Sequence, residues 1–124
     1  MTASEILQGI LTADKVLFDV FRDMVRDNAL PASYGPTLTR IMQRHRLVSQ
    51  HWQQDPDGAL NEIMAIGHDL LDVMDAMMKA KEFPFQYTTE IEDALARRLK
   101  WAEQFTERQR GVPVIWGPGG KRAN

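Results

Sequence analysis

The chain contains no cysteine, and this absence excludes a disulfide framework, a thiolate zinc site, an iron–sulfur centre and a cysteine nucleophile. It also has no apolar run near the roughly 20 residues that a membrane-spanning helix needs. The N-terminal sequence MTASEILQGI has no basic start, no uninterrupted apolar stretch and no small-residue cleavage site, so it does not resemble a signal peptide. We therefore expect a cytoplasmic protein.

The chain also has no large excess of charge of one sign, because it contains 17 acidic and 15 basic side chains and its formal net charge is only -2. The composition therefore gives no reason to expect nucleic acid or an anionic membrane as a partner. No cofactor motif is complete, and we expect no cofactor. The C-terminal GPGGKR is not a phosphate loop, because it lacks the first glycine and the final serine or threonine of that motif.

Four helices are predicted between four groups of proline and glycine residues. Thr2 and Glu5 have the spacing of a capping box, Asp55 precedes Pro56 as an N-cap would, and Thr89 and Glu92 form a second capping-box pair. Apolar residues recur at helical spacing within each segment. The predicted helices cover about residues 3–28, 37–53, 56–81 and 90–110.

These helices predict an all-α fold, since no segment alternates with the period of a strand. Short connections place consecutive helices side by side, which favours an antiparallel (up-and-down) four-helix bundle over residues 1–111. Residues 112–124 form an extended tail rich in proline and glycine. Its apolar Val114, Ile115 and Trp116 indicate that it docks on a surface. We favour packing back along the bundle, and the alternative is an arm that reaches a partner or a second copy.

Three ionisable residues occupy positions where the helical projection expects apolar ones: Asp14, His45 and Arg98. A buried charge costs several kcal/mol unless it is paired, so we expect these side chains to meet or to reach solvent. Gly67 falls near the same level and leaves room for a bulky neighbour. A polar layer that fixes helix register is the interpretation we favour. The alternative is a catalytic site in which Asp14 orients His45 for proton transfer.

Arg44 and His51 lie on one edge of the second helix with six residues between them. This spacing resembles the arginine and histidine signature of HEPN-type ribonucleases, which are also helical bundles. The resemblance covers eight residues and implies RNA cleavage, with His51 moving a proton and Arg44 holding the phosphate. In that family the motif is expected later in the bundle. A solvated helix face is the simpler interpretation.

His68, Asp72 and Asp75 share the polar arc of the third helix and form a candidate site for a divalent metal ion. The pattern of a carboxylate-bridged di-metal bundle is absent, because no Glu-x-x-His pair occurs. The segment Gly67-His68-Asp69-Leu70-Leu71 also resembles the phosphoacceptor helix of histidine kinases, which implies phosphotransfer through His68. No lysine or arginine follows within a turn to hold a phosphate.

The third helix holds four of the seven methionines, and flexible methionines line surfaces that accept several partner shapes. Its apolar arc is wider than one packed face needs, which indicates a central position or a free apolar strip. We therefore predict a small protein-binding protein, regulatory or adaptor in kind, with another protein or a second copy as its partner. The candidate contacts are Val114, Ile115, Trp116, Met74, Met77 and Met78. The alternative is a helical enzyme that uses His45 with Asp14 and Arg98, or Arg44 with His51.

Overall fold

The computed structural model describes residues 2–111, the last two for their backbone only, and within that range every regular element is helical. Four α-helices pack against each other, which confirms the all-α prediction. They are α1 (Ala3–Arg26), α2 (Gly35–His51), α3 (Pro56–Lys79) and α4 (Thr88–Gly111). Single 3₁₀ turns accompany the connections at Ala32–Tyr34, Trp52–Gln54 and Phe85–Tyr87. The predicted tail, residues 112–124, lies outside the described residues.

Two of the three predicted N-terminal caps are confirmed. The Thr2 amide donates to Glu5 Oε1 at 2.8 Å and the Glu5 amide donates to Thr2 Oγ1 at 3.1 Å, which completes the first capping box. At α3 the Gly58 amide donates to Asp55 Oδ1 at 3.1 Å, and Pro56 occupies the first helical position. Both caps use side-chain oxygens to satisfy amides that have no partner within the helix.

The predicted capping box of Thr89 and Glu92 is wrong. The 3₁₀ turn Phe85–Tyr87 runs directly into α4, and Thr88 already has helical dihedral angles of φ -57° and ψ -47°. Thr89 therefore lies inside the first turn of the helix, whereas an N-cap residue has non-helical backbone. The preceding turn displaces the helix start by two residues.

The helices α1 and α3 end in the same way, two residues before the predicted limits. The Ala29 amide donates to the Met24 carbonyl at 2.8 Å and the Glu82 amide donates to the Met77 carbonyl at 2.8 Å. These are the long hydrogen bonds of a Schellman motif, which needs a left-handed residue just before the donor. Asn28 and Lys81 supply it, each with a φ of 59°.

The core is built around α1, which packs most extensively against α4 and also against α3, while α2 packs against α3. Eleven of the 24 residues of α1 are buried, compared with four of the 17 residues of α2. Gly9 brings α1 close to α4, because a Cβ at this position would collide with the indole ring of Trp101. The broad apolar arc of α1 therefore reflects a central position in the bundle.

Among the described residues, no helix combines the length and the apolar character that crossing a membrane requires.

Candidate functional site

The structure confirms that Asp14, His45 and Arg98 meet in the interior. Arg98 Nε donates to Asp14 Oδ1 at 2.7 Å, and His45 Nε2 lies 3.0 Å from Asp14 Oδ2. Because a carboxylate only accepts hydrogen bonds, Nε2 carries the proton in this pair. The exposed fractions are 1% for Asp14, 7% for His45 and 7% for Arg98, so three helices contribute to a polar cluster that is almost dry.

Arg98 crosses the core to reach a third helix. Its Nη2 atom donates to the Ile63 carbonyl of α3 at 2.8 Å. A Cβ on Gly67 would collide with the guanidinium group, so the absence of a side chain at Gly67 is what admits Arg98. This confirms the space expected from the sequence. The cluster therefore joins α1, α2, α3 and α4, and the charge of Arg98 compensates the charge of Asp14.

His45 lines a surface pocket. Its ring packs edge-on against Phe18, with the ring centroids 4.7 Å apart at an interplanar angle of 84°. The pocket has a volume of about 250 Å³ and is lined by residues of α1 and α2, including Lys15, Arg22 and Arg46. His45 Nδ1 has no hydrogen-bond partner within the described part of the chain. This arrangement presents an oriented imidazole to a small basic pocket.

Arg44 and His51 do not form a joint site, since no hydrogen bond or ion pair between them occurs within residues 2–111. Arg44 instead binds two carboxylates of α3, with Nη1 2.5 Å from Asp69 and Nη2 3.3 Å from Glu62. The hydrogen bond to Asp69 raises the pKa of Arg44, and the weaker one to Glu62 adds to this effect. These contacts join α2 to α3, and a phosphate at Arg44 would compete with both acids.

The candidate metal ligands are exposed and only partly assembled. His68, Asp69 and Asp72 bring ligand atoms within 4.8 Å of one another, whereas Asp75 binds Lys79 at 2.9 Å. Asp69 already binds Arg44, and His68 Nδ1 lies 3.6 Å from Asp72. Exposed acids of this kind are common on helices, and the arrangement is that of a solvated face with local ion pairs.

The methionines proposed as partner contacts separate into three environments. Met77 is completely buried, Met74 is buried at the floor of a groove, and Met78 is 57% exposed. Helical geometry explains the difference, because neighbouring residues are turned by about 100° and only one of them can face the core. Val114, Ile115 and Trp116 lie outside the described residues.

An open apolar groove, hereafter the α3–α4 groove, lies between these two helices, which make few contacts with each other. Its volume is about 810 Å³. Phe85, one of the lining residues, has 88% of its surface exposed. The lining residues are Met74, Met78, Lys81, Phe83, Phe85, Thr88, Ile91, Glu92 and Leu95.

The sequence reasoning missed Phe83 and Phe85, together with Lys15 and Arg46 beside His45. A signal for the phenylalanines was present, because the segment Phe83-Pro84-Phe85 places two large apolar side chains in a connection between charged helices. No periodic pattern marks the pocket beside His45, since its basic residues come from separate helices that only tertiary packing brings together.

Comparisons with protein-family models, with curated proteins and with solved structures find no match to this chain.

Proposed function

We propose that the chain is a small protein-binding protein, regulatory or adaptor in kind, whose α3–α4 groove takes an apolar segment of a partner protein flanked by basic residues. The observation that carries this proposal is the groove itself, in which the almost fully exposed Phe85 adjoins Met78 and the apolar floor. Apolar grooves rimmed by polar residues are typical binding sites for amphipathic helices or extended segments.

Charge favours a basic partner. The segment 71–95, which contains all the lining residues, carries six carboxylates, and Lys79 and Lys81 are its only basic residues. Glu92 and Lys81 line the groove itself, so the acidic excess lies around its rim. Lys79 is already bound to Asp75 at 2.9 Å. Complementary charge at the rim speeds association and excludes acidic competitors. We therefore infer that lysine or arginine residues flank the apolar part of the partner.

The apolar part of the chain's own tail, which ends at Trp116, is too short to reach Ile91 of the same molecule. From Ile91 to Gly111 an α-helix rises about 30 Å, and the groove lies at the far end of α4 from Gly111. The five residues from Gly111 to Trp116 span at most about 18 Å when fully extended. Val114, Ile115 and Trp116 therefore belong to this proposal as a second contact with the partner rather than as the occupant of the groove.

Two finer expectations belong to the same proposal. We infer an up-and-down order of the helices because residues from opposite ends of neighbouring helices meet, as Tyr87 Oη does with Asp27 and Arg108 does with Asp57. The second expectation is a cytoplasmic location. The enzyme alternative has less support, since both oxygens of Asp14 are occupied and Arg98 is buried.

Site-specific photo-crosslinking in the native host tests the proposal. A benzophenone amino acid replaces Phe85 in one full-length variant and Leu47 in a control, because Leu47 is 60% exposed on a different helix. We expect the Phe85 variant, and not the control, to crosslink to a partner. Sequencing of the crosslinked peptide should show an apolar segment with adjacent lysine or arginine residues. Crosslinking only to a second copy of the chain would contradict the proposal.

A synthetic peptide of the crosslinked sequence then allows affinity to be measured. Met78→Glu should weaken binding at least tenfold, because it places a charge in an apolar contact, whereas Leu47→Glu should leave binding unchanged. Both side chains are more than half exposed, so thermal stability should not change in either variant. A chain ending at Gly111 completes the comparison. If the tail packs on the bundle, its removal should lower the melting temperature; if the tail contacts the partner, its removal should lower the affinity.

A further inference from the structure

The apolar surface of the α3–α4 groove continues past its lining residues along both helices. Successive residues of an α-helix are turned by about 100°, so Leu71 lies within about 20° of Met78 on α3, and Leu99 lies within about 40° of Leu95 on α4. Both Leu71 and Leu99 are exposed. Of the seven large hydrophobic residues that are exposed in the described part of the chain, four therefore share this face: Leu71, Met78, Phe85 and Leu99. We call the groove together with Leu71 and Leu99 the extended groove.

The extended groove is about three helical turns long. Thr88 and Leu99 are eleven residues apart on α4, which corresponds to about 16 Å at the rise of an α-helix. An α-helix of about eleven residues has the same length, whereas a fully extended segment needs only about five residues to cover it. Length alone therefore admits either conformation for the occupant.

The walls of the extended groove favour a helical occupant. Both walls are α-helices, whose backbone amides and carbonyls are paired within each helix, and every regular element of residues 2–111 is helical. An extended segment pairs its backbone with the free edge of a sheet, and without such an edge it buries unpaired amides and carbonyls. Among the lining side chains only Lys81, Thr88 and Glu92 are polar. A helix satisfies its own backbone, so only its apolar side needs to contact this surface.

The charge of Glu92 distinguishes a basic partner from a second copy of the chain. Glu92 lines the groove among apolar residues, and its carboxylate has no ion-pair partner among the described residues. A lysine or arginine of the occupant supplies that partner. In a two-fold dimer the same patch meets itself, so the acidic rim of one copy would lie against the acidic rim of the other. Charge therefore favours a basic partner helix.

We propose that the occupant of the α3–α4 groove is an amphipathic α-helix of the partner, about three turns long, with its apolar side along the extended groove and one basic residue paired with Glu92. This inference rests on the function proposed above, which leaves the conformation of the partner segment open. Only an occupant of this length contacts Leu71 and Leu99 as well as the groove itself, so these two leucines report on the bound helix.

Two synthetic peptides of identical composition test the conformation. Each contains about fourteen residues of leucine, glutamine and lysine and a fluorescein label, and the leucines have helical spacing in one peptide and alternate in the other. Fluorescence anisotropy with the full-length protein measures both affinities. We expect the helical peptide to bind at least tenfold more tightly, and a central proline on its polar side to remove this advantage, since proline breaks a helix.

The outcomes separate this inference from the function on which it rests. If the alternating peptide binds as tightly as the helical one or more tightly, the occupant is extended and the inference is wrong, although the groove still binds a partner segment. If neither peptide binds, the inference and the proposed function both fail.

Variants of the protein locate the bound helix. Leu99→Glu and Glu92→Lys should each weaken binding of the helical peptide about fivefold or more, because they place a charge in an apolar contact and a like charge opposite lysine. The matched controls are Leu47→Glu, since Leu47 and Leu99 are 60% and 58% exposed, and Glu90→Lys, on the opposite side of α4. All four positions are exposed, so the variants should fold. Wild-type affinity in Leu99→Glu, equal losses in the controls, or a dimer in sedimentation that Leu99→Glu dissociates would overturn the proposal.

Discussion

At the scale of single residues, Asp14 is the acceptor that allows His45 and Arg98 to be buried in the core. Its two oxygens accept from His45 and Arg98, which lie on different helices, and Arg98 Nη2 also donates to the Ile63 carbonyl. The sequence alone indicated this cluster, because each member interrupts an apolar stripe and unpaired charges are not tolerated in a small core. The role of Gly67 could also be expected, since only a residue without a side chain leaves space at that level.

Asp14→Ala should destabilise the fold by about 3 to 5 kcal/mol, because it leaves the buried charge of Arg98 and the Nε2 proton of His45 without their acceptor. Urea unfolding measured by circular dichroism gives this difference. Asp19→Ala is the matched control on the same helix, since Asp19 is exposed and its ion pair with Arg22 contributes at most about 1 kcal/mol. Similar losses in the two variants would show that the cluster does not stabilise the core.

Lys81→Gly should stabilise the protein by about 0.5 to 1 kcal/mol. Lys81 has a φ of 59°, and a side chain in this left-handed conformation costs more than the extra freedom that glycine gains in the unfolded chain. Asn28→Gly is the comparison at an identical helix end, where a smaller gain is expected because asparagine tolerates this conformation. Thermal unfolding measures both effects, and a loss of stability in Lys81→Gly would contradict the argument.

At the scale of elements, the helices are joined at their ends by tyrosine hydroxyls. Tyr87 Oη donates to Asp27 at 2.6 Å, which ties the start of α4 to the end of α1, and Tyr34 Oη donates to Glu82 at 2.6 Å. The starts of α1 and α3 followed from their side-chain caps, and the approximate extent of the helices followed from apolar spacing. The start of α4 did not, because the 3₁₀ turn before it uses no side-chain cap that a sequence pattern would reveal.

Alkaline pH should weaken the junction between α1 and α4. The hydrogen bond to Asp27, supported by burial, raises the pKa of Tyr87 to about 12. A group whose pKa is higher in the folded state stabilises the fold below its unfolded value, near 10, and this contribution is lost as the pH rises toward 12. We therefore expect the midpoint of urea unfolding to fall over this interval. The decline should be shallower in Tyr87→Phe, and an unchanged slope would contradict the assignment.

At the scale of the whole molecule, the helices share the core unequally. The central α1 packs against both α4 and α3. In contrast, α2 packs mainly on α3, to which the ion pairs of Arg44 connect it, and it is linked to α1 through His45. The gap between α3 and α4 leaves the apolar groove open. A sequence pattern identifies which face of a helix is apolar, but it does not reveal how far apart two such faces lie.

Native-state hydrogen exchange should reflect this inequality. Buried amides in the middle of α1 should exchange only through global unfolding, while those of α2 should exchange through a partial opening at least about 1 kcal/mol lower, because fewer buried residues hold that helix. Exchange measured by NMR over a range of low urea concentrations separates the two processes. Equal protection in α1 and α2 would show that the four helices open as one unit.

The sequence by itself determined the helical class, the approximate limits of the four helices, the caps at Thr2 and Asp55, and the meeting of Asp14 with His45 and Arg98. These features depend on local hydrogen bonding and on the cost of burying charge. The sequence shows both, through its capping residues and through charged residues at apolar positions of a helix. Tertiary structure alone decided that Met77 is buried while Met78 is exposed, that Arg44 binds acids of α3, and that Phe85 borders an open groove. These outcomes depend on the spacing between helices, which the packing of the whole core sets.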